Sequence, residues 1–201
     1  MFARLEEAAK RQDVGCPAMN ILGLSGSLRV ASINSMLLRA TARLAPRDIN
    51  VSIFNGSGEL PLFNPDLEAI LPANVVTFRR AVADADALLF ASPEYAHTGT
   101  IKNAPDWLVG FEPFASKFVA VLNASPRAHH AEDALCETLR TMAAVIVESA
   151  SIPIPVVGAS LDESAMVATP SIAGTVRESL RTMQHAVVSR RGSLTAKFPI
   201  R

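Results

Sequence analysis

The stretch Asn20-Ile21-Leu22-Gly23-Leu24-Ser25-Gly26-Ser27-Leu28-Arg29, with Ser32 and Asn34 just beyond it, decides how this chain is read. Its apolar beginning has the pattern of a buried strand. The run then breaks into small hydroxyl and glycine residues around one Arg, and Ile33 to Leu44 carries the spacing of a helix. A strand, a tight Ser/Gly turn and a helix N-terminus together make an anion site. Gly26 lets the backbone curl, and the free N–H groups of the first helical turn point inward. Ser25, Ser27 and Ser32 add hydroxyls, and Arg29 adds a forked cation suited to a terminal phosphate. The same residues also suit an ordinary strand–helix turn whose serines only cap the helix. Spacing alone does not separate the two.

Composition narrows the classes around this centre. The 201 residues fit one domain with a full core. Hydrophobic residues make up 49% against 19% charged, which points to a packed fold rather than disorder. Lys+Arg and Asp+Glu are each 19, so there is no basic field to hold nucleic acid or an anionic membrane. Glu6 and Glu7 stand where a signal peptide would need apolar residues, and no apolar run approaches the roughly 20 residues of a membrane span. A cytoplasmic protein is expected. Cys16 and Cys136 belong to no paired motif and are expected to be reduced thiols.

Outward from the first strand, Phe2 to Gln12 has the pattern of a short amphipathic helix ended by Gly15 and Pro17. Residues 1–18 are therefore expected to be an N-terminal extension, packed on a neighbouring subunit, before a domain at 19–201. Asn50 to Phe54 alternates like a second strand. Asn55 to Ala73, with its glycines and prolines, is a long loop of the kind that usually has a function. A helix over 74–83 leads to a buried strand over 87–91, broken by Ser92-Pro93-Glu94-Tyr95. A helix over 101–109, a strand over 118–122 and a loop over 123–130 follow. Then come a helix over 131–148, a fifth strand over 152–157 and a closing helix over 171–190. Pro153 and Pro155 put that fifth strand at or near a sheet edge. Alternating strands and helices imply a parallel sheet covered on both faces. Right-handed crossovers bring the loops 25–32, 93–99 and 123–130 to one sheet edge.

At these residues the chain resembles a known family. Leu24 to Arg29 with Ser32 and Asn34 is similar to the phosphate loop of the NADPH-dependent FMN reductases, whose relatives reduce quinones, azo dyes and chromate. Leu60-Pro61-Leu62-Phe63-Asn64-Pro65-Asp66-Leu67 resembles that family's long loop. Ser92 to Tyr95 resembles its flavin-cradling loop, and Lys102-Asn103-Ala104 with Asp106-Trp107 the helix that follows. The resemblance implies an α/β, flavodoxin-like three-layer sandwich with a five-stranded parallel sheet. It also implies one FMN per subunit of a homodimer or homotetramer. As cofactor-binding residues it implies Ser25, Ser27, Leu28, Arg29, Ser32 and Asn34 in the first loop and Pro93, Glu94, Tyr95 and Ala96 in the second. Ser125 and Arg127 join them from the third. It names no metal and no catalytic acid or base, because hydride passes from NADPH or NADH to FMN and then to a quinone-like or other small acceptor. Two other readings use the same fold: a flavodoxin-type electron carrier and a flavin-free interaction protein.

Some residues depart from the family pattern. Ala96 stands where Asn is common. His129-His130 replace paired glycines and are expected to crowd the flavin. Pro105 is expected in the first turn of its helix. His97, His129 and His130 read as surface or loop histidines, because no carboxylate or Cys completes a metal-ligand spacing with them. Asp106 beside Trp107 reads as a structural contact. The Phe63 loop reads equally as a dimer contact or a substrate wall.

Overall fold

The computed structural model describes residues 18–29, 31–94, 98–125, 129–154, 156 and 161–197, without the side chains of 192–197. The expected helix over Phe2–Gln12, the extension around it and Cys16 lie outside the described residues. Five strands form one parallel sheet: β1 (Met19–Ser25), β2 (Ile49–Phe54), β3 (Ala87–Ala91), β4 (Phe118–Val121) and β5 (Val145–Ile146), in the order β2-β1-β3-β4-β5. The order reverses direction at β1, so loops leaving β1 and β3 diverge to opposite faces and leave a crevice between them.

Alternation along the strands sends side chains into two separate cores. Met19, Ile21, Leu89, Ala120 and Leu122 face one side, against α1 (Ile33–Leu44), α5 (Glu163–Ala168) and α6 (Pro170–Lys197). Leu22, Leu24, Leu88, Phe90 and Val121 face the other, against α2 (Ala73–Asp84), α3 (Gly99–Asp106) and α4 (His130–Thr141). On α6 the buried residues Ile172, Ala173, Val176, Leu180, Met183 and Val187 follow the three-and-four spacing of one helical face. This is the expected three-layer sandwich. Among the described residues no helix is long and apolar enough to cross a membrane. Cys136 is a free thiol in the second core, where burial pushes its pKa up to about 11.

Three local expectations are corrected. The helix expected over 131–148 stops at Thr141, because Ala143 takes a left-handed φ of 63° and the β-branched run beyond it pairs with β4. The fifth strand is therefore Val145–Ile146. The Ile152–Val157 stretch contributes only a bridge from Pro153 to Asn123, after a 3-10 turn over Glu148–Ala150. The backbone N–H groups of Ile154 and Val156 still donate to the carbonyls of Asn123 and Ala124. The segment thus prolongs the sheet edge in a broken form, and its edge position is as expected. Pro155 and Val157 lie outside the described residues. Pro105 sits in the last turn of α3, not the first. Its missing N–H does little harm there because the helix ends one residue later. The helix α5 has no counterpart in the sequence reading.

Candidate functional site

The site grows from the turn between β1 and α1. Gly26 is needed for a reason other than backbone curl: its φ is not positive. A Cβ there would lie 2.2 Å from Ser92 Oγ and 2.7 Å from Ser92 Cβ. The glycine lets the first loop press against the start of the second, and its N–H donates to Ala91 O at 2.9 Å. Ser32 starts α1 in an extended conformation but makes no side-chain capping bond, so the capping explanation for this serine fails. Helix geometry also leaves the N–H groups of the first turn without intrahelical acceptors. Ser32 and Asn34 are 6% and 3% exposed, and Asn34 Oδ1 is buried with no hydrogen-bond partner among the described residues. A buried amide in that state costs free energy unless something else satisfies it.

These groups open into a cavity of about 770 Å³ at the carboxyl ends of β1, β3 and β4. The cavity is lined by Ser27, Arg29, Ser32 and Asn34 from the first loop and by Ser92, Pro93 and Glu94 from the second. Asn123, Ala124 and Ser125 line it from the third. The three loops expected to converge do converge. Arg29 forms no ion pair among the described residues, so its charge is free for a ligand.

Not every expected residue faces this cavity. Ser25 Oγ lies 2.8 Å from Ser35 Oγ and accepts from the Ser27 N–H at 3.2 Å, so it braces the loop from within. Ser25 and Leu28 line a neighbouring cavity of about 380 Å³ on the β2 flank instead. Ser125 lines the main cavity, but its N–H donates to Asn123 Oδ1 at 2.9 Å and only its hydroxyl is left for a ligand. His129 and His130 begin α4 as exposed residues with stacked rings and do not line the cavity, so the expected crowding is absent. Tyr95, Ala96, His97 and Arg127 lie outside the described residues.

Other lining residues went unread in the sequence. Leu161 and Asp162 close the cavity from the far end of the chain. Asp162 caps α5 by accepting from the Ala165 N–H at 2.8 Å. The signal available was Asp162-Glu163 ahead of a small apolar run, a helix start. Next to it, Glu163 accepts from Arg39 Nε at 2.8 Å and from Arg43 at 3.2 Å, both on α1. The Arg39 bond, with Arg43 beside it, holds the Glu163 carboxyl below its ordinary range. Asn123 donates from Nδ2 to Glu132 at 2.7 Å, while burial pushes the Glu132 pKa upward.

The long loop after β2 is held by the helix that follows the second loop. Asn103 Oδ1 accepts from the Phe63 N–H at 2.8 Å, and its Nδ2 donates to Pro61 O at 3.0 Å. Trp107, fully buried, donates from Nε1 to the same Pro61 carbonyl at 2.8 Å, with its ring edge-on to Phe63. Arg79 donates to Trp107 O and pairs with Glu68, pinning the loop's far end.

The sequence profile of the NADPH-dependent FMN reductases matches residues 19–162. An NAD(P)H-dependent FMN reductase of Pseudomonas aeruginosa is 42% identical over 112 residues, covering 53% of this chain and 60% of that protein. A 2-hydroxy-1,4-benzoquinone reductase of Burkholderia sp is 41% identical over 92 residues, covering 45% and 50%. A quinone reductase of Escherichia coli K12 is 32% identical over 113 residues, covering 53% and 60%. The chain thus spans 50% to 60% of the length of these curated relatives. Among solved structures, the flavoenzyme NAD(P)H:(acceptor) oxidoreductase FerB of Paracoccus denitrificans superposes with a TM-score of 0.67 at 24% identity, covering 83% of this chain and 98% of that one. The apo form of the NADH:FMN oxidoreductase EMOB gives 0.57 at 22%, covering 85% and 89%. These two likenesses show a shared fold. The profile match takes in all five strands and the three loops around the cavity, and the chain belongs to the NADPH-dependent FMN reductase family.

Proposed function

We propose that this protein is an NAD(P)H-dependent, FMN-containing oxidoreductase that reduces a quinone-like or other small acceptor. The observation that carries the reading is the unspent polarity at the start of α1. Ser32 makes no cap, Asn34 Oδ1 is buried without a partner among the described residues, and Arg29 is unpaired, all on one cavity. That donor set fits the phosphate of FMN. Arg29 supplies charge, Ser27 and Ser32 supply hydroxyls, and the helix start supplies backbone N–H groups. A half-turn of the Asn34 amide presents its NH2 group to the same anion. Glu94 and Asp162 offer carboxylate acceptors for sugar hydroxyls. Met36 and Leu161 give apolar wall, and Pro93 and Ala124 give backbone and small side chains against which a flat ring lies.

When bound, FMN takes hydride from NAD(P)H and passes electrons to the acceptor. The chain's own part is to hold, orient and partly desolvate, and no side chain is required as acid or base. One cavity in one small domain supports alternate use of a single face by nicotinamide and acceptor. A cytoplasmic homodimer or homotetramer belongs to the same reading and rests on the family resemblance. Colour tests it. Purified protein that is yellow, or turns yellow with FMN, and is bleached by NADPH or NADH alone is the expected result. Yellow protein that does not bleach would make it an electron carrier, and protein left colourless by added FMN would overturn the assignment.

A further inference from the structure

The cavity on the β2 flank of the first loop has no part in holding FMN as described above. It measures about 380 Å³ and shares Ser27 and Arg29 with the main cavity, so a single turn of chain separates the two. Its remaining walls are of two kinds. Arg39, Ser35, Asn55 and Ser57 are polar, whereas Ile53 and Phe54, at the end of β2, are apolar. Two guanidinium groups over a small apolar and aromatic floor fit a phosphorylated nucleoside: the cations take the phosphate and the floor takes the base. Arg39 is positioned beforehand. Its Nε donates to Glu163 at 2.8 Å, which fixes the plane of the guanidinium and leaves its terminal nitrogens for another acceptor. The Glu163 carboxylate that orients it is not among the pocket's walls, so both pocket cations keep their charge toward the interior.

We infer that this second cavity is the subsite for the adenosine 2′-phosphate of NADPH, and that it gives the enzyme a preference for NADPH over NADH. The inference rests on the reductase reading and specifies which of the two nucleotides it takes. Both cavities open at the same sheet edge. A dinucleotide whose nicotinamide end is over the main cavity therefore has its phosphorylated ribose to place nearby, and the β2 flank offers a cationic recess for it. NADH carries no group that uses Arg39.

Adenosine 2′,5′-bisphosphate and adenosine 5′-monophosphate differ only in the phosphate at issue, and calorimetric titration of each is made with and without FMN. The expected result is at least tenfold tighter binding of the bisphosphate without release of FMN. It should be lost in Asn55→Asp, which sets a negative charge at an exposed position on the rim. It should also be lost in Arg39→Gln, whose amide still donates to Glu163. In steady state, both variants should raise the KM for NADPH about tenfold and leave that for NADH within twofold. Equal binding of the two nucleotides to the unmodified protein would overturn the inference, as would displacement of FMN by the bisphosphate. Inorganic phosphate binding as tightly as the bisphosphate would make the cavity a simple anion site and overturn it as well. Failure to bind FMN, with the nucleotide difference intact, would remove the reductase reading and leave a nucleotide site standing.

Discussion

The first loop and the long loop stand side by side at one edge of the sheet, yet they handle their polar groups in opposite ways. In the long loop, Phe63 N–H and the Leu60 and Pro61 carbonyls are all taken by Asn103 and Trp107, and Glu68 is taken by Arg79. In the first loop, Ser25 and Ser35 satisfy each other, but Ser32, Asn34 and Arg29 are left facing a cavity. A satisfied loop is a wall, whereas a loop with buried, unsatisfied donors is incomplete without a ligand. Substitutions in the long loop's latch should therefore cost stability, and those in the first loop should cost affinity.

The largest effect expected is at the latch. Asn103→Ala strands the Phe63 N–H and two carbonyl oxygens at part-buried positions, for a loss of about 2–4 kcal/mol of folding stability in urea titration. FMN affinity per folded molecule should change little; a loss of affinity at unchanged stability would erase the contrast. Arg29→Ala should do the reverse. A charge-assisted phosphate contact is worth about 1.5–3 kcal/mol, so FMN should bind roughly tenfold to a hundredfold more weakly with the melting temperature unchanged. Riboflavin, which lacks the phosphate, is the control and should be unaffected. Ser32→Ala sharpens the point. Because Ser32 makes no capping bond, it should weaken FMN binding by about 0.5–1.5 kcal/mol and leave the apo-protein as stable as before. A clear fall in apo stability would mean that the hydroxyl serves the helix after all.

The smallest effect is electrostatic. Glu163 is held below its ordinary pKa of 4.5, by the Arg39 hydrogen bond first. Its contribution is therefore present above that value and lost as pH falls through it and on through the lower folded value. The pair is largely solvent-exposed, so Glu163→Gln should cost at most about 1 kcal/mol at neutral pH. The gap between the two proteins should close in thermal melts taken progressively further below pH 4.5. A gap that stays constant through this range would show that the clamp acts by shape rather than charge.

What could be read in the sequence follows from how local each feature is. The buried strands and the Ser/Gly turn are short runs whose residue types state their environment, so β1, β3, β4 and the Arg29 loop were legible directly. Leu161 and Asp162 were not, because they reach the cavity from more than a hundred residues beyond Arg29 through a crossover that no local pattern encodes. Ser25 was assigned to the ligand because its partner, Ser35, lies a helical turn away and turns it inward. The Val145-Ile146-Val147 run continued a plausible helical period. Only the free edge of β4 draws Val145 and Ile146 into strand pairing, and β4 is supplied by a distant part of the chain.

That broken fifth strand has a bearing on how copies of this protein behave when crowded. A long, straight sheet margin is a template onto which another chain can zip its backbone, the first step towards fibrous aggregation. Here the margin offers Val145 and Ile146, then a 3-10 turn, then Pro153, which has no N–H to give. Two residues of ladder followed by a bend and a missing donor leave too little register for an incoming strand. On this side the sheet is closed to growth, and any neighbour meeting it must do so through side chains.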